Sequence, residues 1–95
     1  MGELFHNYYG ISFCMYPMDN KKHKMPHIHA YSGDGELVIS LIDCTIIEGQ
    51  MKKSKQKLAL QWTEENIEKL KYAWHLAIQG IKPPKIKDIG DEDLC

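Results

Sequence analysis

The sequence predicts an α+β fold, a two-layer sandwich with a three- to four-stranded antiparallel sheet packed against one or two C-terminal helices. The first half of the chain is rich in strand-forming residues separated by short turns. In the second half, apolar residues recur with the helical period. The connections between strands are too short for crossover helices, so the strands should pair antiparallel. Packing the sheet on the helices buries one face of each layer.

Four strands are predicted in order, over residues 11–16, 27–31, 36–42 and 45–48. Pro17 ends the first, and a turn with two glycines, at residues 32–35, separates the second from the third. The third strand is apolar at several positions on both faces, which is typical of a central strand. Asp43 and Cys44 form the next tight turn, and Gly49 marks the end of the fourth strand.

A helix is predicted over residues 53–62, followed by Thr63 as a candidate N-cap for a second helix. Whether Thr63 separates two helices or lies inside one long helix stays open at this stage. The second helix has apolar residues at offsets 0, 3, 7, 10 and 11, namely Ile67, Leu70, Trp74, Ala77 and Ile78. Gly80 is its expected C-terminal glycine, and the tail after Lys85 is expected to be frayed.

Length and composition indicate one ordinary globular domain. The chain has 95 residues, of which 43% are hydrophobic and 26% charged. We expect a single domain over residues 1–95 with an ordered core at about residues 8–87. Because the N-terminus has no signal-peptide pattern and no apolar run approaches the ~20 residues of a spanning helix, we expect a cytoplasmic location.

Charge and cysteine content exclude several functional classes. The net charge of -1 gives no general attraction to nucleic acid or membranes. All 12 basic residues are lysines, and arginine is the usual residue for bidentate reading of guanine, so sequence-specific DNA recognition is disfavoured. Lysine contacts to a nucleic-acid backbone remain open. The three widely spaced cysteines predict neither a disulfide scaffold nor a zinc ribbon. We expect Cys14 and Cys44 to pack in strands.

The histidine-rich segment at residues 19–29 is the candidate functional site. Residues i and i+2 of a strand share a face, so His27 and His29 should stand side by side and outward, about 6.6 Å apart along the chain. Ile28 and Ala30 should then point to the core. His23, in the preceding loop, could fold back to join the other two histidines.

Three interpretations of this segment stay open. His23, His27 and His29, with Asp19 as a carboxylate ligand, could hold a divalent metal such as zinc. Alternatively, His27, His29 and Glu48 could carry acid–base catalysis on a phosphodiester. In the third interpretation the histidines are structural. Whether the protein is an enzyme is therefore open.

Several segments carry a resemblance to a small bacterial family of uncharacterised proteins. That family has a Phe-x-Gly-Ile-x-Ile-x-Met-Tyr stretch, matched by residues 8–16, and an Asp-His-x-Pro-Pro-His-x-His-Ala signature, matched by residues 23–30. A Glu-Gly pair is matched at residues 48–49, a Leu-x-x-x-Trp pattern at residues 58–62, and a late tryptophan by Trp74. The chain departs from the signature with lysine in place of the aspartate and methionine in place of the first proline.

The resemblance implies a small bacterial protein of toxin–antitoxin-like gene pairs. It implies a cognate small protein from a neighbouring gene as a partner, and a homodimer is a further possibility. Our first hypothesis is an accessory or toxin–antitoxin-like protein with a histidine site for a divalent metal or phosphodiester chemistry. The alternative is a non-catalytic interaction module, with structural histidines, that binds its partner through an exposed helix or edge strand. A DNA regulator ranks last.

Overall fold

The computed structural model describes residues 2–16 and 25–94. These residues form a five-stranded antiparallel sheet, and the helices follow it in the C-terminal part of the chain. The strands are β1 (Gly2–Tyr8), β2 (Ile11–Met15), β3 (His27–Ser32), β4 (Gly35–Ser40) and β5 (Ile46–Gln50). The helices are α1 (Lys53–Glu65) and α2 (Ile67–Ile78). Two short 3-10 helices follow at Ile86–Asp88 and Asp91–Leu94. The predicted α+β class is confirmed, with one strand more than the upper estimate.

The strands lie in chain order, β1-β2-β3-β4-β5, and every neighbouring pair is antiparallel. This order follows from short connections, which allow a strand to pair only with its sequence neighbour. The sequence interpretation missed β1. Its pairing with β2 is interrupted by two register shifts, at Glu3/Phe5 and Phe5/Tyr8, so its side chains do not follow the alternation that identifies a regular strand.

The hydrophobic core lies between one face of the sheet and the helices. On β2 the alternation is regular, with Ile11, Phe13 and Met15 fully buried. The register pairs Phe13 with Ala30 and Ala30 with Leu37, so these residues share the core face. The expectation that Ile28 and Ala30 point to the core is confirmed, since both have 0% exposure and belong to the main apolar cluster.

Helix α1 packs on this face through Trp62, whose ring stacks on Phe13 with centroids 3.8 Å apart and planes 12° from parallel. The helix extends beyond the predicted end, and Thr63 is not an N-cap. Thr63 is fully buried inside α1, where its hydroxyl donates a 2.8 Å hydrogen bond to the carbonyl of Ala59. Because the hydroxyl makes this bond inside α1, it does not cap the N-terminus of a helix. The break between the helices falls instead at Asn66.

Helix α2 buries Leu70, Ala73 and Ala77 against the core. The predicted apolar stripe is therefore partly wrong, because Ile78, assigned to the same face, is 58% exposed. Gly80 follows the helix with φ 83°, and the amide of Ile81 donates to the carbonyl of Leu76, an arrangement that satisfies the last carbonyls of the helix.

The C-terminal segment is docked on the core instead of frayed. Ile86 and Ile89 are 4% and 2% exposed and belong to the main apolar cluster. Leu4, near the other end of the chain, is also fully buried. The expected core range of about 8–87 therefore leaves out Leu4 and Ile89. Within the described ranges, no helix combines the length and apolar character needed to cross a membrane.

Candidate functional site

The sheet face opposite the core carries polar side chains arranged in cross-strand rows. In one row β2, β3, β4 and β5 contribute Cys14, His29, Val38 and Glu48 in that order. In a neighbouring row they contribute Ser12, Tyr31, Glu36 and Gln50, and His27 pairs with Ser40 at the start of β3. We call the site formed here by Tyr16, His27, His29, Tyr31 and Glu36 the histidine site.

The two histidine rings are neighbours, as the strand period predicts. The ring centroids of His27 and His29 are 5.4 Å apart, and the ring planes meet at 62°. The prediction that they face outward to solvent is wrong, because His27 is 0% and His29 7% exposed. Part of this burial comes from Trp74 of α2, whose ring centroid lies 5.3 Å from that of His27.

His27 has one ring nitrogen fixed by the backbone. Its Nδ1 lies 2.8 Å from the carbonyl oxygen of Met25. A carbonyl can only accept a hydrogen bond, so Nδ1 carries the proton and donates it. The neutral ring therefore has its lone pair on Nε2. This contact depends on the chain bending at Met25 and Pro26, directly before β3 begins.

His29 is fixed in the same tautomer by a side chain. Its Nδ1 lies 3.1 Å from Oε2 of Glu36, which belongs to β4 and is half-exposed. A carboxylate can only accept a hydrogen bond, so Nδ1 keeps its proton and donates it, and the lone pair of the neutral ring is on Nε2, as for His27. The ring of His29 is enclosed by Tyr16 at 4.9 Å, edge to face, and by Tyr31 at 6.2 Å, nearly parallel.

The two tyrosines add hydrogen-bond donors to the site. The hydroxyl of Tyr31 donates to the hydroxyl of Tyr16 at 3.4 Å. Burial is the main cause that raises the pKa of Tyr31 well above its ordinary value, and the hydrogen bonds to Tyr16 and Glu36 raise this pKa further. Burial also raises the pKa of Tyr16. Both phenols are therefore protonated at neutral pH and can donate, but neither acts as a base there.

Cys14, the cross-strand neighbour of His29, is half-buried on β2 as expected, whereas Cys44 lies in the turn after β4 with φ 57°. The prediction that Cys44 packs in a strand is therefore wrong. Burial raises the pKa of both thiols. A protonated thiol is a weak nucleophile, so neither cysteine is placed as a reactive group.

Of the other predicted site residues, Glu48 lies on the same face as His29 but two strands away. Val38 stands between them in the row, so the two backbones are about 10 Å apart at the usual strand spacing. His23 and Asp19 fall outside the described residues. Within residues 2–16 and 25–94, no three His, Cys, Asp or Glu side chains converge as a metal-binding group.

Glu36 and Tyr16 are the site residues that the sequence interpretation missed. The signal for Glu36 was present, because the turn at residues 32–35 forces Tyr31 and Glu36 to pair across the hairpin. Because Glu36 pairs with Tyr31, it is a diagonal neighbour of His29 on the same face of the sheet. Tyr16 was included in the first strand, but its place beside His29 depends on the β2–β3 register.

Comparison with known proteins gives one match. The family described as a domain of unknown function (DUF4160) matches residues 10–75, more than half of the chain. The chain belongs to the DUF4160 family. The matched range runs from the β1–β2 turn into α2, so it contains the whole histidine site. No curated protein and no solved structure matches the chain.

Proposed function

We propose that this DUF4160 protein binds a divalent metal ion, zinc being the best candidate, through the Nε2 atoms of His27 and His29. One observation carries the proposal: both Nδ1–H groups are held by acceptors, the carbonyl of Met25 and the carboxylate of Glu36. Metal-binding histidines characteristically donate their other ring N–H to a carbonyl or carboxylate, which orients the ring and raises the basicity of the ligating nitrogen.

The spacing of the two rings supports shared ligation. An imidazole centroid lies about 3.2 Å from a zinc ion bound at roughly 2.0–2.1 Å, so two ligands at the tetrahedral angle have centroids about 5 Å apart. The centroids of His27 and His29 are 5.4 Å apart, close to that value. Neutral imidazole nitrogen is a preferred ligand of zinc.

Burial favours metal binding over phosphodiester chemistry. A metal ion can lie between two buried imidazoles, whereas a phosphodiester needs both rings to be reachable from solvent. His27 and His29 are 0% and 7% exposed. Glu48, the carboxylate expected to assist catalysis, is separated from His29 by Val38. We therefore rank catalysis by His27, His29 and Glu48 below metal binding.

The remaining ligands are proposed from the sequence. His23 and Asp19 precede Pro26 by three and seven residues, and they are the imidazole and carboxylate that we propose to complete the coordination. The toxin–antitoxin-like context and a partner from a neighbouring gene rest on the resemblance described above. Under this proposal the metal site belongs to a small accessory protein, and structural histidines in an interaction module are the rival outcome.

Metal analysis of protein purified without a histidine tag tests the proposal. We expect close to one equivalent of zinc per chain, and a clearly lower content in His27→Ala or His29→Ala, because each substitution leaves three of the four proposed ligands. His6→Ala is the control. His6 is exposed, its ring is hydrogen-bonded to Ser12, and its strand β1 is separated from β3 by β2. His23→Ala and Asp19→Ala should each lower the zinc content as well.

A second measurement isolates the role of Glu36. Glu36→Ala removes the acceptor of the His29 Nδ1–H and should weaken zinc affinity about 10–100-fold, whereas Glu36→Gln retains an oxygen acceptor and should weaken it less. A metal-free wild-type protein whose melting temperature does not rise with added zinc would contradict the proposal. The histidines would then be structural, and the interaction module would be favoured.

A further inference from the structure

A second concave surface lies next to the histidine site, between α2 and the turn that follows β4. This groove has a volume of about 350 Å³. It is lined by Pro26, Leu41, Ile42, Lys71, Trp74, His75 and Ile78. Its volume is within the range of small-ligand sites, which are commonly roughly 300–1,000 Å³ and mostly apolar.

The groove exposes large aliphatic side chains that the fold does not use. Ile42 is 64% and Ile78 58% exposed, although both are adjacent to buried core residues in sequence. On α2, Lys71, Trp74 and Ile78 recur at offsets 0, 3 and 7 and therefore share one side of the helix. The lining is therefore mostly apolar, and Lys71 is the one lysine in it.

Lys71 is the only fully charged residue among those lining the groove, and it makes no ion pair with any part of the chain that the structure describes. Asp43, which follows Ile42 in sequence, is not a lining residue, and its carboxylate accepts a 2.7 Å hydrogen bond from the hydroxyl of Thr45. His75 is occupied as well, because its Nε2 accepts a 2.8 Å hydrogen bond from the side-chain amide of Gln79. Lys71 therefore supplies the charged group of the groove that complements an anion.

We propose that the groove binds a small amphiphilic carboxylate, with its apolar tail against Trp74, Ile42 and Ile78 and its carboxylate at Lys71. The charge of Lys71 and the apolar wall together select this class over neutral apolar ligands and over hydrophilic anions. The groove is independent of the proposed metal. Trp74 connects the two sites, because its ring contacts His27 and also lines the groove.

Octanoate is the probe, with octanol as its uncharged counterpart. We expect octanoate to change the tryptophan fluorescence of metal-free protein in a saturable way, and to shift the amide resonances of α2 and the β4–β5 turn. Lys71→Ala should weaken octanoate about fivefold, as for a partly screened ion pair, and leave octanol unchanged. Ile78→Asp should weaken both ligands more than about tenfold, because it places a charge in the apolar wall.

The matched control is Ile81→Asp, which adds the same charge at an isoleucine 49% exposed that does not line the groove. It should leave both affinities unchanged. No saturable binding of octanoate up to about 10 mM, the range accessible to a ligand of this size, would overturn the proposal. Equal affinities in the wild type and Lys71→Ala would do the same. Binding of an acidic leucine-containing peptide without binding of octanoate would assign the groove to protein docking and would also overturn it.

Discussion

Gly49 is the residue at which a single added methyl group should test the β4–β5 register most directly. Gly49 has φ +99°, in the region that side chains other than glycine rarely adopt. A Cβ built there would overlap the carbonyl oxygen of Glu36 and lie 3.0 Å from its carbonyl carbon and 3.1 Å from Cα of Leu37. These are backbone atoms, so a side-chain rotation cannot relieve the overlap.

The cost of Gly49→Ala can be estimated from these contacts. The left-handed backbone costs an alanine about 1–2 kcal/mol. Overpacking against the Glu36 carbonyl adds about 1–3 kcal/mol, and the reduced entropy of the unfolded chain returns about 0.4–1 kcal/mol. The net loss is about 3 kcal/mol of unfolding free energy. In a domain of this size that lowers the melting temperature by roughly 12–24 °C.

Gly33→Ala is the matched control for this substitution. Gly33 lies in the β3–β4 turn, its φ is outside the left-handed region, and a Cβ there meets nothing within 4 Å. It should change the stability by less than about 1 kcal/mol, in the stabilising direction. Urea unfolding followed by circular dichroism measures both variants. Unfolding free energies of the two variants within about 0.5 kcal/mol of each other would refute the β4–β5 register at Gly49.

Two further predictions concern the core and the β3–β4 turn. Phe13→Ala removes a fully buried ring stacked on Trp62 and should cost about 3–5 kcal/mol in urea unfolding, whereas Tyr9→Ala, at a residue 69% exposed, should cost under about 1 kcal/mol. Similar losses for both would contradict the assigned core face. The carboxyl pKa of Asp34 is lowered, and the hydrogen bond from the hydroxyl of Ser32 is the main cause. The charged carboxylate therefore stabilises the fold above the unfolded pKa, and this stabilisation is lost as the pH falls through the folded pKa. Thermal melts of the wild type and Asp34→Ala should therefore differ at pH 7 and converge as the pH falls through the lowered folded pKa of Asp34; a difference in melting temperature that stays constant with pH would show that the charge is irrelevant.

Much of the fold could be predicted because its signals are local. The alternation over Ile11–Met15 and the helical period of α2 each report which side chains are buried, and the structure agrees for Phe13 and Leu70. Strand β1 could not be found this way, since its two register shifts break the period that sequence patterns rely on. The break at Asn66 instead of Thr63 was also hidden, because a buried threonine and a capping threonine look alike in sequence.

The candidate site shows the same division. The period of a strand was enough to predict that His27 and His29 stand together, and their centroids are 5.4 Å apart. The period carries no information about what covers that face, and the burial of both rings with Trp74 beside His27 was not foreseen. Glu36 was missed for the same reason, since Glu36 and Glu48 are both strand carboxylates and the pairing register shows that Glu36 contacts His29.

By itself, the sequence determined the α+β class, the core face of strand β2 and the adjacency of the two histidines. These properties depend on the order of residues over a few positions, and backbone geometry converts that order into a face or a turn. Tertiary structure alone decided that Trp74 packs on His27 and that Ile86 and Ile89 dock on the core. Those contacts join residues distant in sequence, and they form only when packing selects one register among several that the local pattern permits.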